Sequence, residues 1–99
     1  MFQPDIPPHV SETIRHFPPD LKRSIKAAVR ALCLNPKEGA PLVKELEGLW
    51  KYRVRRFRIV YAIDRRRKVI RIMAISHRRN VYEEVMEQVS MAKKGKFSK

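Results

Sequence analysis

The sequence predicts an α+β domain, with two N-terminal helices packed on a small, twisted antiparallel sheet of three to four strands, followed by a short C-terminal helix. Apolar residues recur at steps of three and four over residues 19–34, which is the period of an amphipathic helix. From residue 50 onward they alternate instead, which is the period of a strand. Helical patterns before and after consecutive strands favour helices packed on one face of a sheet.

The first half of the chain carries the two predicted helices. Three prolines among the first eight residues make the start a poor helix and at best a short edge strand. Apolar residues over 10–17 then share one face of a short helix. Pro18-Pro19-Asp20 suits the start of a second helix, and Asn35-Pro36 stops its apolar pattern. We therefore expect this helix at about 19–34, followed by a loop and a short turn up to residue 46.

The second half carries the predicted sheet. The alternation over 50–63 is interrupted at Arg55-Arg56, which indicates two strands joined by a tight turn. A second polar break at 64–68 precedes the run 69–75, which is apolar on both faces, as a central strand covered by helices would be. These strands form an antiparallel meander. Valines spaced four residues apart predict the C-terminal helix at about 83–91.

Length and composition indicate a single domain. The chain has 99 residues, of which 43% are hydrophobic, and this is enough for one modest core. We expect the domain to span residues 1–92 and a basic tail over 93–99 to be disordered. The sequence contains no apolar run long enough to cross a membrane and no pattern of a secretory signal. It therefore predicts a cytoplasmic protein.

Positive charge is the strongest feature of the composition, with a formal net charge of +13 at pH 7. Residues 51–79 contain twelve Lys or Arg and one acidic residue, Asp64, whereas the first fifty contain seven basic and six acidic residues. A field of one sign attracts phosphate backbones, so the second half is expected to bind a polyanion, above all RNA. Cys33 is the one cysteine, which argues for a small buried hydrophobe and against a zinc site. We expect no metal and no cofactor.

The predicted hairpin brings cations together. If Arg55-Arg56 are the central residues of its turn, Arg53 faces Arg58, and both share one face of the sheet with Lys51. Like charges that face each other destabilise a sheet by some tenths to about 1 kcal/mol, so folding alone would not select this pair. A bound phosphate would, because guanidinium groups bind phosphate oxygens in pairs. The alternative is a positively charged face that only keeps the protein soluble.

Three segments form a specific combination: LEGLWKYRV at 46–54, FRIVY at 57–61 and ISHRRNVY at 75–82. Together with the preceding helix they resemble the RelE/ParE toxin family over roughly residues 10–85. The resemblance implies a toxin of a type II toxin–antitoxin pair. In this family the RelE branch enters the ribosomal decoding site and cleaves messenger RNA, while the ParE branch poisons DNA gyrase. The cleaving branch fits this sequence better.

The resemblance also implies site residues. Its basic strand positions, and an arginine and a tyrosine near the C-terminus, correspond here to Lys51, Arg53, Arg58, Arg78 and Tyr82. Attack of the ribose 2′-hydroxyl on its own phosphate, without a metal, needs a base, a group that stabilises the phosphorane and an acid. We assign the phosphorane to Arg58 and Arg78 and the base to Tyr82, and leave the acid open between Arg78 and His77. The residues expected to bind RNA are Lys51, Arg53, Arg55, Arg56 and Arg79.

The resemblance implies partners as well, namely a cognate antitoxin, the ribosome and messenger RNA. We expect the antitoxin to place an acidic or amphipathic segment over the helix grooves or the cationic face. Two other functions stay open: a gyrase inhibitor and an RNA-binding domain without catalysis. The sequence departs from the family in two places. Arg55-Arg56 replace a turn that often holds glycine and aspartate, and a proline-rich segment stands where an N-terminal strand is usual.

Overall fold

Residues 1–77 are described in the structure, a computed structural model, and they form two helices on one face of a five-stranded sheet. In chain order the elements are β1 (Gln3–Asp5), α1 (Pro8–Arg15), α2 (Pro19–Leu34), β2 (Ala40–Pro41), β3 (Leu49–Val54), β4 (Phe57–Asp64) and β5 (Val69–His77). Single 3-10 turns at Pro36–Glu38 and Lys44–Leu46 connect α2 to β3. The predicted helix at 83–91 and the tail at 93–99 lie outside the described residues.

The sheet has the strand order β1-β5-β4-β3-β2. The predicted meander of β3, β4 and β5 is confirmed, and each of these neighbours pairs antiparallel. The predicted number of strands is wrong, because short strands β1 and β2 extend the sheet at its two edges. The sheet is also mixed instead of purely antiparallel, since β1 runs parallel to β5.

The N-terminal segment forms an edge strand despite its prolines. The backbone N–H of Gln3 donates to the carbonyl of Lys68 at 2.8 Å, and that of Phe2 donates to the carbonyl of Cys33 at 3.0 Å. Proline is tolerated at a sheet edge because a missing N–H there costs no ladder hydrogen bond. The expectation of a short edge strand is confirmed, and the interpretation that the usual N-terminal strand is replaced here is wrong.

The helices form where the apolar periods predicted them. The predicted bounds of α2 match the structure, and its apolar stripe is buried against the sheet. Proline at the first position supplies a suitable φ, and Asn35 before Pro36 leaves the helical conformation and ends the helix. No helix within residues 1–77 has the length and apolar content needed to cross a bilayer.

The two faces of the sheet are covered differently. The helix side holds the main core, which includes Ile59, Tyr61, Ile70 and Ile72, all fully buried. On the opposite face Val60 and Ala74 form a smaller core beneath three leucines. Leu42 and Leu46 belong to the segment between α2 and β3, and Leu49 is the first residue of β3. The prediction of helices packed on one face of the sheet is confirmed for residues 1–77, and leucines of 42–49 cover the second face of the strand predicted at 69–75.

A β-bulge in β5 explains why that strand looks apolar on both faces. Val60 pairs with Ala74 and the next residue, Tyr61, pairs with Ile72, so Met73 is the extra residue. The bulge lets Ile72 and Ile75 both join the helix-side core although they are three residues apart. Nε2 of His9 lies 3.1 Å from the carbonyl oxygen of Met73, and this hydrogen bond ties α1 to the bulge.

Candidate nucleic-acid interface on the sheet

The β3–β4 hairpin has the predicted register. Arg53 pairs with Arg58, and Lys51 pairs with Val60. Arg55 is the first central residue of the turn and has a φ of +56°, the left-handed conformation that two-residue hairpin turns require at this position. The Nε of Arg53 donates to the carbonyl of Arg55 at 3.1 Å, so one arginine of the strand supports the turn. The hairpin thus forms without the glycine that usually occupies such a turn.

We call the sheet surface that carries Lys51, Arg53 and Arg58 the cationic face. Lys51 and Arg58 are half-buried, while Arg53 is exposed. Within residues 1–77 neither Lys51 nor Arg53 forms an ion pair with a carboxylate. Their charges therefore remain available to an anion. The cross-strand row continues from Arg58 to Ser76 on β5, which places a hydroxyl group beside the arginine pair.

An apolar cluster, formed by Val60 and Ala74 beneath the leucines of 42–49, lies beside these cations. Val60 and Ala74 are buried in the row next to the Arg53–Arg58 pair, since Val60 pairs with both Lys51 and Ala74. Apolar side chains exclude water and lower the local dielectric, which strengthens charge interactions with a bound anion. The face therefore combines positive charge with an adjoining apolar cluster, and this suits a phosphate better than an open, fully hydrated surface would.

His77 does not share this face. It pairs with Phe57, and the two ring centroids lie 4.8 Å apart. Phe57 in turn lies 5.0 Å from Phe17, beside the helices, so the imidazole belongs to the helix side. The structure therefore does not bring His77 together with Arg58. Ser76 faces Arg58, and this does not follow from the sequence pattern, because alternation without the bulge assigns the two residues to opposite faces of the sheet.

Tyr61 holds the loop that covers the start of β3. Its hydroxyl donates to the carbonyl of Pro36 at 2.7 Å and accepts from the backbone N–H of Gly39 at 3.2 Å. The side chain is fully buried, and burial raises the pKa of this phenol. A Cβ at Gly39 would overlap the Lys51 carbonyl and the Tyr61 hydroxyl, so only glycine fits here. Tyr61 is a core residue and not a platform for RNA bases.

The remaining predicted site residues fall into two groups. Arg55 and Arg56 are exposed at the hairpin tip, next to the cationic face. Arg78, Arg79 and Tyr82 lie outside the described residues. The described part of the predicted site therefore consists of Lys51, Arg53 and Arg58 on the face and two arginines at its end.

A separate groove of about 550 Å³ lies between β1, α1 and α2. We call it the N-terminal groove. Its apolar lining includes Phe2, Ile14, Ile25 and Val29, and its basic lining is formed by Arg15, Lys22, Lys26 and Arg30. Cys33 also lines it, and burial raises the pKa of this thiol, which disfavours the reactive thiolate. The groove therefore offers an apolar surface with positive charge, on the helix side of the molecule.

Comparisons with known proteins agree on one group. The family model described as "ParE toxin of type II toxin-antitoxin system, parDE" matches residues 9–82. A similar solved structure is the toxin–antitoxin complex RelBE2 from Mycobacterium tuberculosis, with 23% identity, a TM-score of 0.71, and 78% of this chain and 98% of that chain covered.

Two further structures share the fold. A mutant of E. coli toxin RelE in the free state has 15% identity and a TM-score of 0.73, with 88% of this chain and 96% of that chain covered. A chain of the YoeB–YefM complex from Staphylococcus aureus has 20% identity and a TM-score of 0.64, with 78% and 97% covered. The comparison with curated proteins gave no match.

Proposed function

Because this chain belongs to the RelE/ParE family of toxins of type II toxin–antitoxin systems, we propose that it is a ribosome-dependent endoribonuclease that cleaves messenger RNA in the cytoplasm. The observation that carries the proposal is the direct pairing of Arg53 with Arg58, with Lys51 on the same face. Such a pair weakens the sheet, and a phosphate held between two guanidinium groups offsets that cost. RNA is the polyanion that offers a phosphate beside a 2′-hydroxyl.

The proposed reaction needs no metal. The 2′-oxygen attacks the adjacent phosphorus, the bond from phosphorus to the 5′-oxygen breaks, and the products are a 2′,3′-cyclic phosphate and a free 5′-hydroxyl. Arg58 and Arg78 stabilise the negative charge of the phosphorane, and Lys51 and Arg53 hold the backbone. Tyr82 takes the proton of the 2′-hydroxyl. Among the two candidates for the acid we choose Arg78, because His77 lies on the opposite side of the sheet from Arg58.

A second candidate function is inhibition of DNA gyrase. It is favoured by the description of the matching family model, which names the ParE toxin. A gyrase inhibitor needs no positioned acid or base, so substitutions that remove proton transfer would leave it active. The third alternative, an RNA-binding domain without catalysis, predicts binding to RNA and intact transcripts.

We also propose where the antitoxin binds. The similar structures of M. tuberculosis and S. aureus are complexes of a toxin with its antitoxin. The N-terminal groove offers an apolar floor, and Lys22, Lys26 and Arg30 line it with positive charge. An amphipathic antitoxin segment with acidic residues along its polar side fits both properties.

Primer extension on messenger RNA from a translation extract tests the proposed activity. The wild-type protein is expected to cut within translated codons, and Arg58→Ala and Tyr82→Phe variants to lose the cuts. Lys26→Ala serves as the control, since it removes a cation from the helix side and should cut like the wild type. Intact transcripts together with inhibited supercoiling by gyrase would favour the second candidate, and RNA binding without either effect would favour the third.

A further inference from the structure

The turn between β4 and β5 is a second concentration of positive charge. Four consecutive residues, Arg65, Arg66, Arg67 and Lys68, are all exposed, and we call them the basic turn. Within residues 1–77 none of the four forms an ion pair with a carboxylate. Asp5, a nearby carboxylate, instead pairs with Arg71 at 3.4 Å. Folding gains nothing from four adjacent like charges, so their presence calls for another explanation.

The backbone of the basic turn is held in one conformation. Oδ1 of Asp64 accepts a hydrogen bond from the backbone N–H of Arg67 at 3.0 Å. Lys68 has a φ of +57°, and its carbonyl accepts from the N–H of Gln3 at 2.8 Å. These contacts use backbone groups and the Asp64 side chain, and they leave the four basic side chains directed to solvent. The turn therefore presents its charges from a fixed backbone.

The chemistry of the basic turn favours a phosphate backbone over a protein partner. Protein interfaces need an apolar centre, and each of the four positions in the turn carries a charged side chain. Phosphate contacts need only positive charge and donors, and guanidinium groups match phosphate oxygens in geometry. The N-terminal groove, with its apolar lining, differs from the turn in this respect.

The position of the basic turn separates it from the strand bound at the cationic face. β4 connects the two, and Arg65 lies seven residue steps beyond Arg58 of the arginine pair, which is roughly 23 Å in extended conformation. Along β4 the intervening positions on the cationic face are Val60, Ala62 and Asp64, which are apolar or acidic. On the neighbouring strands this face carries Lys51 across from Val60 and Arg71 across from Ala62, and Arg71 already pairs with Asp5. Between Lys51 and the turn, a single strand on residues 1–77 therefore meets one guanidinium, and a carboxylate holds it. A different segment of a folded RNA can reach the turn directly.

We propose that the basic turn is a second RNA-binding surface, which holds the phosphate backbone of a folded, double-stranded RNA segment while the cationic face holds a single strand. This inference rests on the proposed function, because it assumes that RNA is the ligand. It adds a separate surface at the opposite end of β4, with its own ligand class.

The salt dependence of RNA binding tests the proposal. Two probes are used: a single strand of about eight nucleotides and an RNA hairpin with a stem of about twenty base pairs. The variant Arg65→Gln, Arg66→Gln, Arg67→Gln removes three charges, and Lys22→Gln, Lys26→Gln, Arg30→Gln removes three from the helix side as a matched control. Each lost phosphate contact lowers the slope of log K against log salt by about 0.7 to 0.9.

For the hairpin we expect the turn variant to lose about 2 to 3 units of that slope, and the control to keep the wild-type slope. Both variants should bind the single strand as the wild type does. Lysine at the three turn positions retains the charges and should restore the slope for the hairpin.

Equal slopes for the turn variant and the control with the hairpin would overturn the proposal, and so would an equal loss for both probes. If the wild-type protein binds the single strand, and the turn variant and the control have equal slopes with the hairpin, this inference fails and the proposed function stands. If it binds neither probe, the proposed RNA ligand is wrong and the inference fails with it.

Discussion

Arg53 and Arg58 lie directly opposite each other on β3 and β4, each two positions away from a turn made of two further arginines. Facing like charges cost a sheet some tenths to about 1 kcal/mol, and here they face each other between β3 and the central strand β4. Sites that bind an anion often carry such a cost, because the charges are arranged for the ligand and not for the unbound fold.

Replacing one member of this pair by a carboxylate should stabilise the protein. Arg53→Glu places opposite charges across the strands, and we expect the free energy of unfolding to rise by up to about 1 kcal/mol at low salt. The gain should shrink at high salt, because screening weakens exposed charge pairs. Urea unfolding at two salt concentrations measures both effects, with Lys26→Glu on α2 as a control of equal charge change. If Arg53→Glu stabilises the protein no more than Lys26→Glu does, repulsion between Arg53 and Arg58 does not weaken the sheet.

Removing the backbone strain at Arg55 in the β3–β4 turn should also stabilise the protein. Left-handed φ costs a residue other than glycine about 1 to 2 kcal/mol, and glycine loses part of this gain through its greater freedom in the unfolded chain. We expect Arg55→Gly to raise the free energy of unfolding by about 0.5 to 1 kcal/mol. Arg56→Gly is the matched control, since Arg56 does not have a positive φ and should not gain. Thermal unfolding decides between them, and equal effects would argue against strain at Arg55.

Tyr61→Phe should destabilise the loop over β3. The change leaves the carbonyl of Pro36 and the N–H of Gly39 without their partner, and a part-buried group left unpaired costs about 1 to 3 kcal/mol. Tyr52→Phe is the control, because Tyr52 is half-buried and its hydroxyl forms no hydrogen bond within residues 1–77. Urea unfolding should separate the two variants by at least about 1 kcal/mol.

The same tyrosine should make the wild-type protein sensitive to alkali. Burial raises the pKa of Tyr61, so on raising the pH the unfolded chain loses this proton first, near pH 10. Between the two pKa values the unfolded state binds fewer protons than the native state, and stability therefore falls as pH rises. Tyr61→Phe should show a flatter fall above about pH 10 in unfolding experiments. A parallel decline in both proteins would exclude this origin, and a Cys33→Ala background removes the other buried group with a raised pKa.

His77 should not be needed for proton transfer. His77→Phe keeps the ring contact with Phe57 and removes the imidazole, so cleavage in a translation extract should stay within about threefold of wild type across pH 6 to 8. Arg58→Ala should lower it by about a hundredfold or more, as the loss of a group that stabilises the transition state does. A change in the pH dependence of cleavage in the His77→Phe variant would contradict this prediction and indicate that the imidazole takes part in proton transfer.

Local patterns determined α2 and the hairpin. The bounds of α2 follow from its apolar period and its flanking prolines, and the pairing of Arg53 with Arg58 follows from a two-residue turn, because both depend on neighbours within a few residues. The sequence also places the excess of positive charge in the segment that forms the strands and their turns. These features could be predicted without knowledge of distant contacts.

Only the tertiary structure decided which strands form the edges of the sheet and which side chains at the end of β5 lie on the cationic face. Strand β1 pairs with a segment more than sixty residues away, and two- or three-residue strands carry no period that could reveal them. The bulge at Met73 is bonded to His9 on α1 and reverses the alternation of β5, so Ser76 and not His77 faces Arg58. A single inserted residue moves every later side chain to the other face, and the contact that stabilises it comes from a helix far away in the sequence.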